Sequence, residues 1–348
     1  MKSSRRDRRE WRIFLWASVT SAIVSAYYGY SVRPPDTSGV RAMLVGVITS
    51  LIIATPVVLL ELKQDRLFVM RRLRRRPLVV YFVVKVVFYF VVIVGGLLLS
   101  RLVTTPIVED HAGFDEAFGT SIVFSAIMIM GALLFFEMGY LLGFGTLKNL
   151  LTGRYVRPRR EQRVFLLIDM KDSTGVAERL GPVLFHELLN RFFRDIADAA
   201  LECDAEIYKY VGDEAILTWT GTRALRDGAC LACPFVARNF MEAARAAYLE
   251  QFDAVPAFRA ALHYGEIVTG EIGDVRREIA YVGDTLNVAA RLLDATKALG
   301  HDVLVSADLL KRAALPSGLE AEPLPTLKVR GRAAPLGISA LTQAPAAA

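Results

Sequence analysis

Four long apolar runs, all within the first 147 residues, constrain this chain more than any other feature. Residues 13–32 and 42–60 carry no charge, residues 78–100 carry only Lys85, and residues 117–147 carry only Glu137. A helix needs about 20 mostly apolar residues to cross a bilayer. It also satisfies its own backbone groups, which lipid cannot do. The runs predict a membrane domain, residues 1–147, of four transmembrane helices at about 13–32, 42–60, 78–100 and 118–142. A cleaved signal peptide accounts poorly for the first run, which is long and has three successors.

Charge divides the chain near the same place. Residues 1–163 sum to +12 and the remainder to −6, although the whole is +6 with a pI near 9.2. The mean hydropathy of +0.36 likewise averages two different materials. Lys and Arg cluster before the first run, between the second and third, and after the fourth, whereas residues 104–118 are acidic. By the positive-inside rule the N-terminus, the middle loop and everything after residue 147 are cytoplasmic, in a multi-pass cell-membrane protein. Such clusters set topology and meet lipid headgroups, and they do not point to nucleic acid. Lys85 and Glu137 have two readings. Each snorkels to the interface, or they pair between helices three and four. No motif names a signal, so a ligand or protein acting on this domain stays unidentified. The three cysteines, Cys203, Cys230 and Cys233, include one CxxC with no second pair, and read as free thiols.

Beyond residue 147 the pattern changes. Residues 148–163 form a cytoplasmic linker in which Pro158 ends any helix; it either transmits membrane-domain rearrangements or is a passive tether. Residues 164–342 form the second domain. Residues 164–169 (VFLLID) read as a buried strand and 178–203 as a helix. Residues 206–210 and 214–219 are strands joined through Gly212-Asp213. Residues 223–250 read as one helix, 258–263 and 266–272 as strands around Gly265, 279–282 as a strand and 285–299 as a helix. Residues 303–306 are a strand, and 327–329 with 336–341 a last hairpin. The opening order β-α-β-β-α-β is ferredoxin-like, an α+β fold. The Ala-rich residues 343–348 read as a flexible tail.

Asp169 ends the first strand and Asp213 sits in a hairpin turn. Carboxylates so placed can converge, and hard oxygen ligands suit Mg²⁺ or Mn²⁺. The loop after Asp169, from Met170 through Ser173 and Thr174 to Gly175, feeds a helix and offers backbone N–H groups to phosphates. Asn287 and Arg291 are four apart on a helix and project from one face.

Residues 164–174 (VFLLIDMKDST), 209–213 (KYVGD), 258–265 (FRAALHYG), 283–291 (GDTLNVAAR) and 327–332 (LKVRGR) together resemble the catalytic domain of class III nucleotidyl cyclases. The resemblance covers about residues 160–342. It implies a membrane-anchored adenylate cyclase using two Mg²⁺ or Mn²⁺ per site, held by Asp169, Asp213 and the Met170 carbonyl. Arg291 resembles the transition-state arginine and Asn287 the ribose-orienting residue. Arg259 and Arg330 match phosphate contacts. Lys209 matches the purine-reading lysine, whose ammonium suits the acceptor N1 of adenine; it opposes the alternative of a guanylate cyclase. Ala280 falls where relatives often place Asp or Thr to accept from the adenine amine, and Ala cannot accept. In the family the metal residues come from one subunit and the lysine, Asn and Arg from the other, so the resemblance implies a homodimer binding ATP. A non-catalytic nucleotide-binding membrane receptor is the other alternative, opposed by the presence of both acids with Asn287 and Arg291.

Overall fold

The computed structural model describes residues 5–33, 35, 37–63, 67–73, 76–105, 116–220, 223–275, 277–328 and 335–344. It divides into two compact units, Met1–Phe144 and Gly145–Ala348.

The first unit is helical: α1 (Arg5–Ser31), α2 (Gly39–Lys63), a short α3 (Phe68–Leu73), α4 (Leu78–Thr104) and α5 (Glu116–Leu142). Among the described residues three helices, α2, α4 and α5, are long and apolar enough to cross a membrane. The expected count of four is therefore corrected to three on length and composition. The first run does form a helix of 27 residues. Trp11, Trp16, Tyr27, Tyr28, Tyr30 and several serines dilute its apolar character. It packs closely on α2 at small residues: a Cβ at Gly29 would lie 2.5 Å from the Ala42 carbonyl oxygen, and one at Gly46 would strike the Ser25 carbonyl.

The two readings of Lys85 resolve in favour of burial. Its ammonium lies 2.7 Å from Glu61 and 2.8 Å from Glu137, with Lys85 and Glu61 each 1% exposed. Tyr81 donates to Glu137, and Tyr89 to Glu61. Glu61 escaped the sequence reading because it stands one residue past the second apolar run. A buried charge shared between α2, α4 and α5 fixes their relative register, since each partner left alone in hydrocarbon would be costly.

The second unit begins with α6 (Phe144–Leu151), whose first residue belongs to the boundary. There follow β1 (Arg159–Met170), α7 (Ser173–Glu202), β2 (Glu206–Val211), β3 (Glu214–Thr220), α8 (Arg223–Arg226), α9 (Ala229–Ala243), α10 (Arg245–Phe252), β4 (Phe258–Ile272) and β5 (Glu278–Val282). The chain ends with α11 (Asp284–Leu299), β6 (Val303–Ser306), α12 (Ala307–Leu310), β7 (Leu319–Leu327) and β8 (Leu336–Gln343). The sheet runs β2-β3-β1-β4-β6-β8-β7, with β5 paired to the far end of β4. The first four strands pair antiparallel in the ferredoxin-like order.

Successive residues of a strand point to opposite faces, and β1 obeys this strictly. Val164, Leu166, Ile168 and Met170 enter a core with Phe192 and Ile196 of α7 and Leu231 of α9. Phe165 and Leu167 enter a second core with Val288, Ala289 and Leu292 of α11. The same alternation aims Asp169 at the α11 side.

Several expected boundaries move. β1 starts at Arg159, inside the expected linker, because residues 159–163 pair with Gly265–Thr269 of β4. β4 is one strand through Gly265; there a Cβ would lie 2.6 Å from the Thr285 hydroxyl. The expected helix 223–250 is three pieces. The last hairpin uses β7, an edge strand whose Pro323 and Pro325 are tolerated where no further strand needs their N–H. Cys230 and Cys233 are fully buried in α9, and burial pushes the Cys230 thiol up to about 12, so it is inert at neutral pH.

Arg163 ties this unit together. It is 1% exposed, bonds Glu161 at 3.0 Å and the Tyr155 hydroxyl at 2.9 Å, and lies 4.7 Å over the Tyr281 ring. Burial pushes the Glu161 carboxyl up, but Arg163 and the hydrogen bonds from Tyr155 and Arg154 outweigh this and hold it below its ordinary 4.5. Arg163→Ala would leave Glu161 with Arg154 and Tyr155 and open a cavity under Tyr281, at an expected cost of about 2–4 kcal/mol, read as a shifted urea midpoint by pulse proteolysis. The Glu161 contribution is present above pH 4.5 and is lost as pH falls through the lower folded value, so Glu161→Gln should flatten the acid limb of that stability curve.

Candidate active site

The site grows from the end of β1. Asp169 stands opposite Glu214 of β3 and opposite Arg259 of β4 in register, so all three share one sheet face. Asp213 occupies the β2–β3 turn, which Gly212 makes possible with φ +62°. The Asp213 carboxyl, at the end of the neighbouring hairpin, acts on Asp169 as a nearby like charge. Asp294 of α11 adds its negative field from above.

Electrostatics follow from this crowding. Burial first, then the facing Asp213 charge, pushes Asp169 up to about 6, while Arg259 pulls the other way. Burial, Asp169 and Asp213 push Glu214 up to about 7. Like charges held together in a half-dry site resist ionisation, and a cation relieves the conflict. Among the described residues no group of three or more His, Cys, Asp or Glu side chains is arranged to hold a metal. Two carboxylates and a carbonyl still fit Mg²⁺ or Mn²⁺, because Mg²⁺ usually takes one or two carboxylates and completes its shell with substrate phosphates and water. Met170 itself is buried, so its side chain belongs to the core and only its carbonyl is offered.

Asp172 adopts a left-handed conformation, φ 52°, and starts α7 without capping it. The first helical residues, Ser173 and Thr174, thus present uncapped N–H groups beside Asp169 in sequence. Lys171, in the same loop, pairs with Asp302.

The remaining predicted residues stand apart. Lys209 of β2 lies 3.4 Å from Glu278 of β5, both over a third exposed. Ala280, two residues along β5, is buried. Thr285 donates its hydroxyl to the Glu266 carbonyl. Asn287 and Arg291 lie on the exposed side of α11, opposite its core residues Val288, Ala289 and Leu292, and Arg291 is 3.8 Å from Asp294. No hydrogen bond or ion pair joins Lys209, Asn287 or Arg291 to either aspartate among the described residues. Arg330 lies outside the described residues. Sequence reasoning missed Glu214, Glu278 and Asp294. Strand pairing would have exposed the first, since a residue following a turn aspartate sits opposite the end of the neighbouring strand.

The domain is thus a ferredoxin-like sheet with acids at the end of its central strand and an exposed polar face on α11. Residues 156–338, more than half of the chain, match the family described as the adenylate and guanylate cyclase catalytic domain, and the chain belongs to that family. Adenylate cyclase 2 of Rhizobium meliloti (strain 1021) is 43% identical over 202 residues, covering 58% of this chain and 56% of that protein. Adenylate cyclase 1 of the same organism is 28% identical over 185 residues, covering 51% and 27%. A solved bacterial light-regulated adenylyl cyclase has a TM-score of 0.52 at 16% identity, covering 63% of this chain and 64% of that one, a likeness of fold. The chain spans about half or less of the length of the curated relatives it matches.

The strained acid pair has a measurable consequence. A carboxyl whose folded pKa is raised from 3.8 to about 6 costs the fold stability once pH exceeds the unfolded value. Asp169→Asn should therefore stabilise the metal-free protein at pH 7, by roughly 1 kcal/mol once screening at this half-exposed carboxyl is allowed for. The gain should shrink as pH falls from 6 towards 4, as read from unfolding midpoints in chelator.

Proposed function

We propose that this protein is an adenylate cyclase, converting ATP to 3′,5′-cyclic AMP and pyrophosphate on the cytoplasmic side of a membrane. The placing of Asp169 beside Arg259 at the strand end, with Asp213 of the adjacent turn close enough for its charge to act on Asp169, supports this reading. It gains support from the 43% identical adenylate cyclase. Asp169, Asp213 and the Met170 carbonyl would hold two Mg²⁺ or Mn²⁺, which when bound acidify the ribose 3′-hydroxyl and neutralise the triphosphate. In the reaction the 3′-oxygen bonds to the α-phosphorus, the bond from that phosphorus to the β-bridging oxygen breaks, pyrophosphate leaves and the hydroxyl proton passes to solvent. Arg291 offers its guanidinium to the charge growing on the α-phosphate oxygens. Asn287 orients the ribose. Arg259 and Arg330 contact phosphates, and the N–H groups at Ser173 and Thr174 receive them at the start of α7.

Lys209 donates to adenine N1. Ala280 leaves the adenine amine without an acceptor, and Glu278, already beside Lys209, supplies one. Because Asn287 and Arg291 stand exposed and touch neither aspartate, a complete site calls for a second copy of the chain, and a two-fold homodimer provides it twice.

Purified full-length protein with Mn²⁺ should make cyclic AMP from ATP in preference to cyclic GMP from GTP, and Lys209→Glu should move that ratio towards GTP. Asp213→Ala should lower the rate by roughly 100-fold or more; undiminished activity would refute the metal assignment. Mixing inactive Asp213→Ala and Arg291→Ala subunits should restore roughly a quarter of wild-type activity through mixed dimers with one intact site. Replacing residues 1–150 with an unrelated dimerising helix should alter the rate; an unchanged rate and regulation would mark residues 148–163 as a passive tether.

A further inference from the structure

A cavity of about 240 Å³ lies among α1, α2, α4 and α5, towards the end of α5 remote from α6. Its walls are rich in hydroxyls, including Ser25, Thr49, Ser100, Ser121 and Ser125, over an apolar floor of Ile53, Leu97 and Ile129. Arg33 and Arg101 line it too, while no carboxylate does among the described residues. Two of the hydroxyl pairs are internally satisfied, Ser21 with Ser50 at 2.8 Å and Thr49 with Ser100 at 2.5 Å.

Of the two buried side-chain groups without a partner among the described residues, Ser18 and Tyr28, Tyr28 lines this cavity. Tyr28 stacks flat on Phe124, centroids 3.9 Å apart, which fixes its ring against the cavity. Its hydroxyl is buried and has no hydrogen-bond partner among the described residues. A buried unpaired hydroxyl is costly and uncommon, and it marks where an acceptor belongs. Arg33, on the exposed side of the lining, has its guanidinium 3.9 Å over the Tyr30 ring and donates to the Tyr30 carbonyl, which limits its freedom. Gly29 and Gly46 lock α1 against α2, so this wall cannot easily collapse inward.

We propose that this cavity binds an organic anion with an apolar body, its carboxylate or phosphate head between Arg33 and the Tyr28 hydroxyl and its tail against Ile53, Leu97 and Ile129. The chemistry is that of small-ligand sites generally, apolar walls with a few placed polar groups. Two sources share it, a free carboxylate and an anionic lipid.

The test uses the full chain in nanodiscs of phosphatidylcholine, titrated with octanoate and with octanol by calorimetry. Saturable octanoate binding, with octanol weaker by about tenfold or more, supports the proposal with a free carboxylate as source. If octanoate binds only in phosphatidylcholine discs and is displaced when phosphatidylglycerol is included, an anionic lipid is the natural occupant. Arg33→Gln should weaken octanoate by about tenfold, and Tyr28→Phe by a smaller factor. Ser125→Leu, which removes no charge, should block binding by filling the cavity. Unchanged helical circular dichroism and thermal unfolding midpoints in the same nanodiscs show that the three variants keep the helical unit folded. Equal binding of octanol and octanoate, unchanged affinity in Arg33→Gln, or no binding of either anion source would overturn it.

Discussion

The catalytic unit depends on one constraint, the two-sided burial of β1. The strand is paired along both edges, so its side chains have nowhere to go but alternately up and down. Each face is filled by a separate helical layer, α7 with α9 on one side and α11 on the other. A slip of one residue would exchange the two sets and leave Asp169 facing Phe192 in a dry core. The register that buries Phe165 and Leu167 against α11 is thus the same register that delivers a carboxylate to the α11 side. Packing and chemistry are specified by one pattern.

Much of this was legible from residues alone. The VFLLID run, the Gly212-Asp213 turn and the four-residue spacing of Asn287 and Arg291 gave the strand, the hairpin and the helix face. What stayed hidden was of two kinds. Boundaries moved where polar residues join a sheet by pairing with a distant strand, as Arg159–Arg163 do with β4. Partners hid where contact depends on tertiary approach: Glu278 meets Lys209 across 69 residues and Glu61 meets Lys85 across 24. Neither pair has a periodic signature. The first apolar run failed differently, since length without charge is not sufficient when Tyr, Trp and Ser occupy much of a helix.

The two units use buried charge to opposite ends. Around Lys85 and Arg163 each ion is matched by carboxylates and hydroxyls, and the result is a fixed arrangement of helices or strands. Around Asp169 the acids outnumber the nearby cation, and Asp169 and Glu214 both resist ionisation. A fold selected only for stability would have paired or removed them. Leaving the conflict in place creates a demand for positive charge where a metal-bound triphosphate would bring it, in keeping with strain being tolerated at functional sites.

The same reasoning explains why the exposed face of α11 should not be read as ordinary surface. Helices of this kind bury a stripe and solvate the rest, and Val288, Ala289, Leu292 and Leu293 form that stripe. Asn287 and Arg291 lie outside it, with Arg291 only loosely engaged by Asp294 at 3.8 Å, an exposed pair of little energetic worth. Among the described residues Asp294 is the one group paired with Arg291. An arginine proposed to stabilise a transition state needs a fixed position, which this exposed pair alone does not give it. A second copy and the bound nucleotide can supply it together, which would couple assembly of the site to substrate binding.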